Sequence, residues 1–223
     1  MMKKILKTIL PKNIRVILRL LLEFIIHNYR YWKIKCAVFY KNEIKIIIGA
    51  NQTYQKKWYS TNESWLNITK EQHWRKIFKK KIIITNIVAE HVFEHLTYDE
   101  CIKSLKIINN YMIRNSKIRI AVPDGYNPDL TYIKNVKING IGDGADDHKQ
   151  LLNKDILFEI LSNANFKPKL IEGYDVNKKL YVEKYLIEDG FIKRSRQNND
   201  PNLEKKWGFK YSKTSLIVDG IKT

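Results

Sequence analysis

Short runs of β-branched and other apolar residues, separated by stretches with apolar residues at helical spacing, constrain this chain more than any other feature. Residues 44–48, 82–88 and 118–122 are such runs, and residues 167–172 form another. Between the second and third, Cys101, Ile102, Leu105, Ile108, Tyr111 and Met112 recur at intervals of three and four, with Thr97 and Asp99 placed to cap a helix over 99–114. Residues 155–165 read as a further helix. Buried runs too short for helices, alternating with amphipathic segments, require a parallel sheet covered by helices. The texture then changes. Residues 180–187, 190–193 and 214–218 are strand-like and enclose a polar stretch over 194–207, which predicts an antiparallel edge at the C-terminal end of the sheet. The four residues 37–40 also read as a strand.

Upstream, residues 3–35 read as one basic amphipathic helix: Ile14, Ile17, Leu18, Leu21, Leu22, Ile25 and Ile26 keep helical spacing with Arg15, Arg19 and Arg30 among them. Pro11, Lys12, Asn13 and Arg15 interrupt the apolar stretch, so a signal peptide is not expected. Residues 16–26 fall short of the roughly 20 apolar residues of a spanning helix and contain Arg19 and Glu23. Two readings are open for this segment, a helix packed on the domain and one lying on an anionic bilayer. The expected organisation is a helical segment over 1–40 and a single α/β domain over 41–223.

The chain carries 41 Lys and Arg against 23 Asp and Glu, a formal charge of +18. With 44% hydrophobic residues it can bury a core, which excludes wholesale disorder. The excess admits a nucleic-acid surface, an anionic membrane surface, or lysine spread over solvent faces, and its even distribution favours the last. Cys36 and Cys101 stand far apart without companions at ligand spacing, which predicts neither a disulfide framework nor a zinc site. A reducing, cytoplasmic setting follows as the expectation.

The densest chemistry lies in Asn86-Ile-Val-Ala-Glu-His-Val-Phe-Glu-His-Leu96, where a buried strand runs directly into Glu90, His91, Glu94 and His95. The spacing is E-H-x-x-E-H rather than the H-E-x-x-H of zinc hydrolases, so no metal is expected. This segment, the helix after it, and Ile118-Arg-Ile-Ala-Val-Pro-Asp-Gly125 resemble the S-adenosylmethionine-dependent class I methyltransferases, in the branch with an EH-hydrophobic-x-EHL element on the fourth strand and R-I-A-V-P-D-G on the fifth. The resemblance continues through Gly142-Asp-Gly-Ala-Asp-Asp-His148 and Tyr211-Ser-Lys-Thr-Ser-Leu-Ile-Val218. It implies a Rossmann-like, doubly wound, mostly parallel sheet with S-adenosylmethionine across the carboxyl ends of its strands.

Three stretches are thereby implied as cofactor-binding: Gly49, Ala50 and Asn51 after the first strand; Asn62 and Glu63, either of which can accept from ribose hydroxyls; and Ala89 with Glu90 near the methionine end. Gly49 permits close backbone approach, although a plain turn glycine fits the position equally. The chain departs from the family pattern between Gly49 and Trp58, which leave little room for a crossover helix. Either that crossover has no helix, or the neighbouring strand lies elsewhere. For a proton acceptor, His148 beside Asp146 and Asp147 comes first, then His91, Asp124 and His95. The acids at strand ends reverse the sign of the chain where a sulfonium cation would sit.

The expected function is methylation, at oxygen, of a small-molecule or saccharide-containing acceptor, with peripheral contact at the inner membrane face through the N-terminal helix and no specific nucleic acid. Two alternatives stand beside it. A nucleic-acid-binding protein would use lysine clusters near 76–81 and 193–206, and a scaffold that has lost cofactor binding would explain the reduced glycine loop.

Overall fold

The β-branched runs pair as expected. The computed structural model describes residues 11–50, 53–198 and 215–223. β1 (Ile44–Ile48) lies parallel to β2 (Tyr59–Ser60) on one side and to β3 (Ile84–Glu90) on the other, and β4 (Met112–Pro123) lies parallel to β3. β7 (Ser215–Lys222) then inserts antiparallel between β4 and β5 (Phe166–Tyr174), and β6 (Leu180–Val182) closes the edge antiparallel to β5. The order is β2-β1-β3-β4-β7-β5-β6. The chain leaves β1 toward one edge and returns to build the other, so the strand order reverses between β1 and β3. Crevices at the carboxyl ends of such switch points are where open α/β sheets bind ligands.

The β1 to β2 connection settles the question of the short crossover. β2 is the parallel neighbour of β1, in register Ile46 to Tyr59 and Ile47 to Ser60. The described part of the connection contains no helix.

The helices are α1 (Lys12–Tyr40), α2 (Glu71–Phe78), α3 (Tyr98–Asn109), α4 (Leu130–Val136) and α5 (Lys154–Asn163). Apolar spacing decides how four of them pack. Ile34, Ala37 and Val38 of α1, Trp74, Ile77 and Phe78 of α2, Leu105 and Ile108 of α3, and Leu157, Ile160 and Leu161 of α5 join one core with Ile44, Ile46, Ile48, Ile87 and Ile120 from the sheet. α3 starts in a full capping box: the Thr97 hydroxyl accepts from the Glu100 amide, and the Glu100 carboxylate accepts from the Thr97 amide. Residues 37–40 are the last turn of α1 and not a strand, because Ala37 and Val38 continue the buried stripe begun at Ile34.

The second face of the sheet carries a smaller apolar cluster of Ile47, Val88, Ala121, Ile171 and Ile217, closed by Trp58, Tyr185 and Ile192. A mostly irregular segment over 183–198 covers it. Side chains rising from that face tie it down: Lys45 to the Glu188 carbonyl (2.9 Å), Lys117 to Asp189 (2.8 Å), Arg119 to the Gly190 carbonyl (2.6 Å) and Glu172 to Ser195 Oγ (2.8 Å). Gly190 sits at φ +135°, and a Cβ there would lie 2.5 Å from Val88 Cγ2, so glycine alone allows the strap this close to the sheet. Residues 190–193 are therefore part of a strap and not a strand, and only 180–182 of the run 180–187 pair in the sheet.

Candidate functional site

β1 and β3 end side by side at the switch point, and a cavity of about 460 Å³ opens beyond them. It is lined by Gly49 from the end of β1, Glu63 from the loop after β2, His91 and His95 from the turns after β3, and Asp147 and Lys149 from the loop before α5. The sequence-derived residues Gly49, Glu63 and His91 thus meet around one space.

Gly49 has φ +60°, and a Cβ would meet Val92 Cγ2 at 2.8 Å, so a side chain here would intrude on the cavity wall. The Ala50 amide donates to the Thr61 carbonyl (3.2 Å), and Ala50 itself is buried. Asn51 lies outside the described residues. Asn62 is taken up by its own turn, its Oδ1 accepting from the Ser64 amide (3.0 Å) and hydroxyl (2.7 Å), and its amide nitrogen lies 3.3 Å from His27 of α1. Glu63 accepts from Asn67 Nδ2 through one oxygen (3.0 Å). Of the two residues considered for ribose hydroxyls, Glu63 is the one lining the cavity.

Ala89 is a core residue with no exposure. Glu90 points to the strap side of the sheet, where its two oxygens accept from the amides of Lys193 (3.1 Å) and Arg194 (2.9 Å). It anchors the strap and does not line the cavity.

His91 links two charged groups. Its Nε2 lies 3.0 Å from Arg194 Nη1 and its Nδ1 lies 2.7 Å from Glu94 Oε1. A guanidinium can only donate, so Nε2 is the acceptor and Nδ1–H donates to the carboxylate. Both ring nitrogens are thereby engaged. Asp124 is engaged as well: Oδ1 accepts from the Tyr126 amide (2.9 Å) and Oδ2 from the Tyr174 amide (2.8 Å), joining the end of β4 to β5. Burial pushes its carboxyl above the usual range, against the pull of those amides.

His148 differs from both. It is 8% exposed, and its Nδ1–H donates to the Val136 carbonyl (2.8 Å), which leaves Nε2 with a free lone pair. The amides of Lys149 (2.9 Å) and Gln150 (3.4 Å) donate to the Glu94 carbonyl, and this clamp carries the loop before α5 onto the 3-10 turn Phe93–His95. The rings of His95 and His148 meet edge to face at 4.9 Å, and His95 Nδ1 contacts Asp147. Neither Asp146 nor Asp147 caps the following helix; Asn153 does, accepting from the Ile156 amide.

Electrostatics separate this cavity from another large groove among the described residues. Glu63, Glu100 and Asp147 face it against the single ammonium of Lys149, which pairs with Glu100 at 3.0 Å. The Thr97 amide and Lys149 hold the Glu100 carboxyl below its usual value, so it is ionised at neutral pH. A groove of about 730 Å³ near the amino end of β1 is instead lined by Lys41, Lys45, Lys56 and Lys57, with Glu43 and Glu188. In a chain of +18, the cavity at the strand ends is the one suited to a cation.

Sequence reasoning missed the second polar layer, beneath the strap. Arg119 and Asp219 stand opposite each other on β4 and β7 and pair through two contacts of 2.7 Å, with the guanidinium 4.0 Å from the Tyr185 ring. The period-2 position of Arg119 in an otherwise apolar run was the available signal.

No family model matches the chain, and no curated protein matches it. Among solved structures it is similar to a SAM-dependent methyltransferase from Archaeoglobus fulgidus, at 14% identity and a TM-score of 0.46, over 88% of this chain and 94% of that one. It is also similar to a SAM-dependent methyltransferase of Thermotoga maritima described as a possible histamine N-methyltransferase, at 11% identity and a TM-score of 0.45, over 94% and 97% of the two chains. A third is magnesium protoporphyrin IX methyltransferase from Synechocystis with bound SAH, at 8% identity and a TM-score of 0.41, over 86% and 83%. What the site does rests on this chain's own residues.

Proposed function

We propose that the protein is an S-adenosylmethionine-dependent methyltransferase acting at oxygen on a small-molecule or saccharide-containing acceptor. The observation that carries this reading is the acid-lined cavity at the switch point, bounded by Gly49 and Glu63 from the ends of successive parallel strands. Its volume falls within the roughly 300–1,000 Å³ of small-molecule sites. The bound cofactor supplies an electrophilic methyl group on a sulfonium.

The chain's own residues do the rest. Gly49, at φ +60°, lets the chain leave β1 packed against Val92 at the cavity wall, and Glu63 offers its second carboxylate oxygen to vicinal hydroxyls. Glu63 and Asp147 favour a cation, and the cavity holds two reactants close, which is the main source of rate in a direct displacement. A hydroxyl nucleophile must lose its proton, and we assign that role to His148, which does not line the cavity itself but stands behind the cavity-lining His95 with Nε2 uncommitted. His91 and Asp124, whose polar atoms are already engaged, position the surrounding turns.

The test is the affinity of S-adenosylhomocysteine for variants measured by calorimetry. Gly49→Val fills the wall and Glu63→Ala removes the hydroxyl acceptor, and each is expected to weaken binding at least tenfold, about 1.4 kcal/mol. Wild-type affinity in both, with the fold intact, contradicts the site.

A second partner follows from α1. From Ile14 to Ile26 ten large apolar side chains are each at least 40% exposed, yet no described helix is long and apolar enough to cross a membrane. The helix carries six Lys and Arg against one Glu. Apolar surface with a surplus of cations suits a helix lying in the interface of an anionic bilayer. A lipid-linked acceptor presented there would be consistent with both features.

A further inference from the structure

We propose that Glu94, His95 and His148 bind a first-row divalent transition metal ion beside the cavity. One donor atom from each lies within 4.8 Å of the other two. Metal–ligand bonds of about 2.0–2.2 Å would draw these donors together by roughly an ångström.

His148 and Glu94 each have one end fixed and the other free, and His95 has an unpartnered ring nitrogen. The Val136 carbonyl holds His148 Nδ1–H, so Nε2 carries the lone pair. His95 Nδ1 lies beside Asp147 yet is itself buried without a hydrogen-bond partner, so the His95 ring has a nitrogen uncommitted. His91, itself fixed by Arg194, donates to Glu94 Oε1. The other oxygen, Glu94 Oε2, is buried without a hydrogen-bond partner in a side chain 1% exposed. A buried carboxylate oxygen without a donor is costly, and an ion bridging it to two imidazole nitrogens satisfies it. The Val136 carbonyl on the far nitrogen of His148 is an outer-shell contact of the kind that orients metal-binding histidines.

Two imidazoles and one carboxylate suit zinc, iron(II) or manganese rather than magnesium or calcium, which take oxygen ligands. Three protein ligands leave coordination positions open for water or an acceptor hydroxyl, since His95 and Asp147 line the cavity. This deepens the methyl-transfer reading and in one respect rests on it: a bound ion would acidify the acceptor hydroxyl, whose proton would leave to water in the open cavity, and His148 would then be a ligand in place of the proton acceptor named above. Binding of the ion does not depend on that reading.

The test uses the full chain, free of any affinity tag and stripped with a chelator. Zn²⁺ is titrated by calorimetry and Co²⁺ by visible absorption, with Mg²⁺ as the hard-ion control. The expected result is one Zn²⁺ per chain at micromolar or lower dissociation constant, a Co²⁺ ligand-field band, and no competition by equimolar Mg²⁺. Glu94→Gln and His148→Gln are each expected to weaken Zn²⁺ at least tenfold while keeping the wild-type far-ultraviolet circular dichroism. His95→Gln, at a partly exposed position, gives the same readout if either buried variant unfolds. No saturable Zn²⁺ binding by the folded protein, undiminished binding by folded variants, or equal competition by Mg²⁺ overturns the proposal. S-adenosylhomocysteine is titrated into the same samples: cofactor binding without zinc binding overturns the metal site alone, and zinc binding without cofactor binding overturns the methyl-transfer reading alone.

Discussion

Arg119 shows how much one residue can organise. It stands 1% exposed in the middle of an apolar strand, opposite Asp219, and reaches the Gly190 carbonyl as well. An unpaired buried charge is far costlier than a buried pair is stabilising. Arg119→Met is therefore expected to lower stability by roughly 3–5 kcal/mol in urea unfolding, whereas the added change Asp219→Leu recovers most of the loss. A single variant as stable as wild type would show that the pair does not hold the strap to the sheet. The same scale explains what the sequence conveyed about the site. Gly49, Glu63 and His91 were legible because each follows a recognisable strand. The roles of Glu90 and Asp124 were not, since only the folded chain shows their oxygens already occupied by amides of Lys193, Arg194, Tyr126 and Tyr174. The pairing of His148 with Glu94 and His95 depends on a backbone clamp between residues more than fifty positions apart.

At the scale of elements, strands and helices with a strong period were readable, and segments ordered by distant polar contacts were not. Isoleucine runs placed β1, β3 and β4 to within a few residues, except that β4 starts earlier than its apolar part. Residues 37–40 misled because four apolar residues carry no period of their own. The strap over 183–198 has almost no local signal, because hydrogen bonds from the sheet define its course. Glu172 is one of its anchors, accepting from the Ser195 hydroxyl and the Arg196 amide. Burial raises the Glu172 carboxyl above its ordinary 4.5, so the folded state holds that proton more tightly than the unfolded chain. Its contribution to stability is then greatest below the ordinary value and declines as pH rises through the raised one. Melting temperatures of wild type and Glu172→Gln across mildly acidic to neutral pH are expected to show a wild-type-minus-variant difference that falls with rising pH. A difference that is flat or rises with pH would contradict this account of the anchor.

For the whole molecule, charge distribution matters more than charge. Lysine and arginine outnumber acids along α1, six to one, and in the groove at the amino end of β1, four to two, whereas the cavity at the carboxyl ends of the strands presents Glu63 and Asp147. The cationic helix and the acidic cavity make separate predictions. Co-sedimentation with vesicles is expected to require anionic lipid, to weaken with salt, and to fall severalfold when Leu20, Leu21 and Phe24 are replaced by Ser. Equal binding to neutral vesicles, or none to either kind, would contradict the membrane role of α1. The central claim concerns the cavity beyond the carboxyl ends of β1 and β3. Calorimetric titration of the wild-type protein with S-adenosylmethionine and S-adenosylhomocysteine tests it most directly. One saturable site per chain at micromolar affinity is the predicted result, and absence of binding to protein with intact circular dichroism is the result that would contradict it.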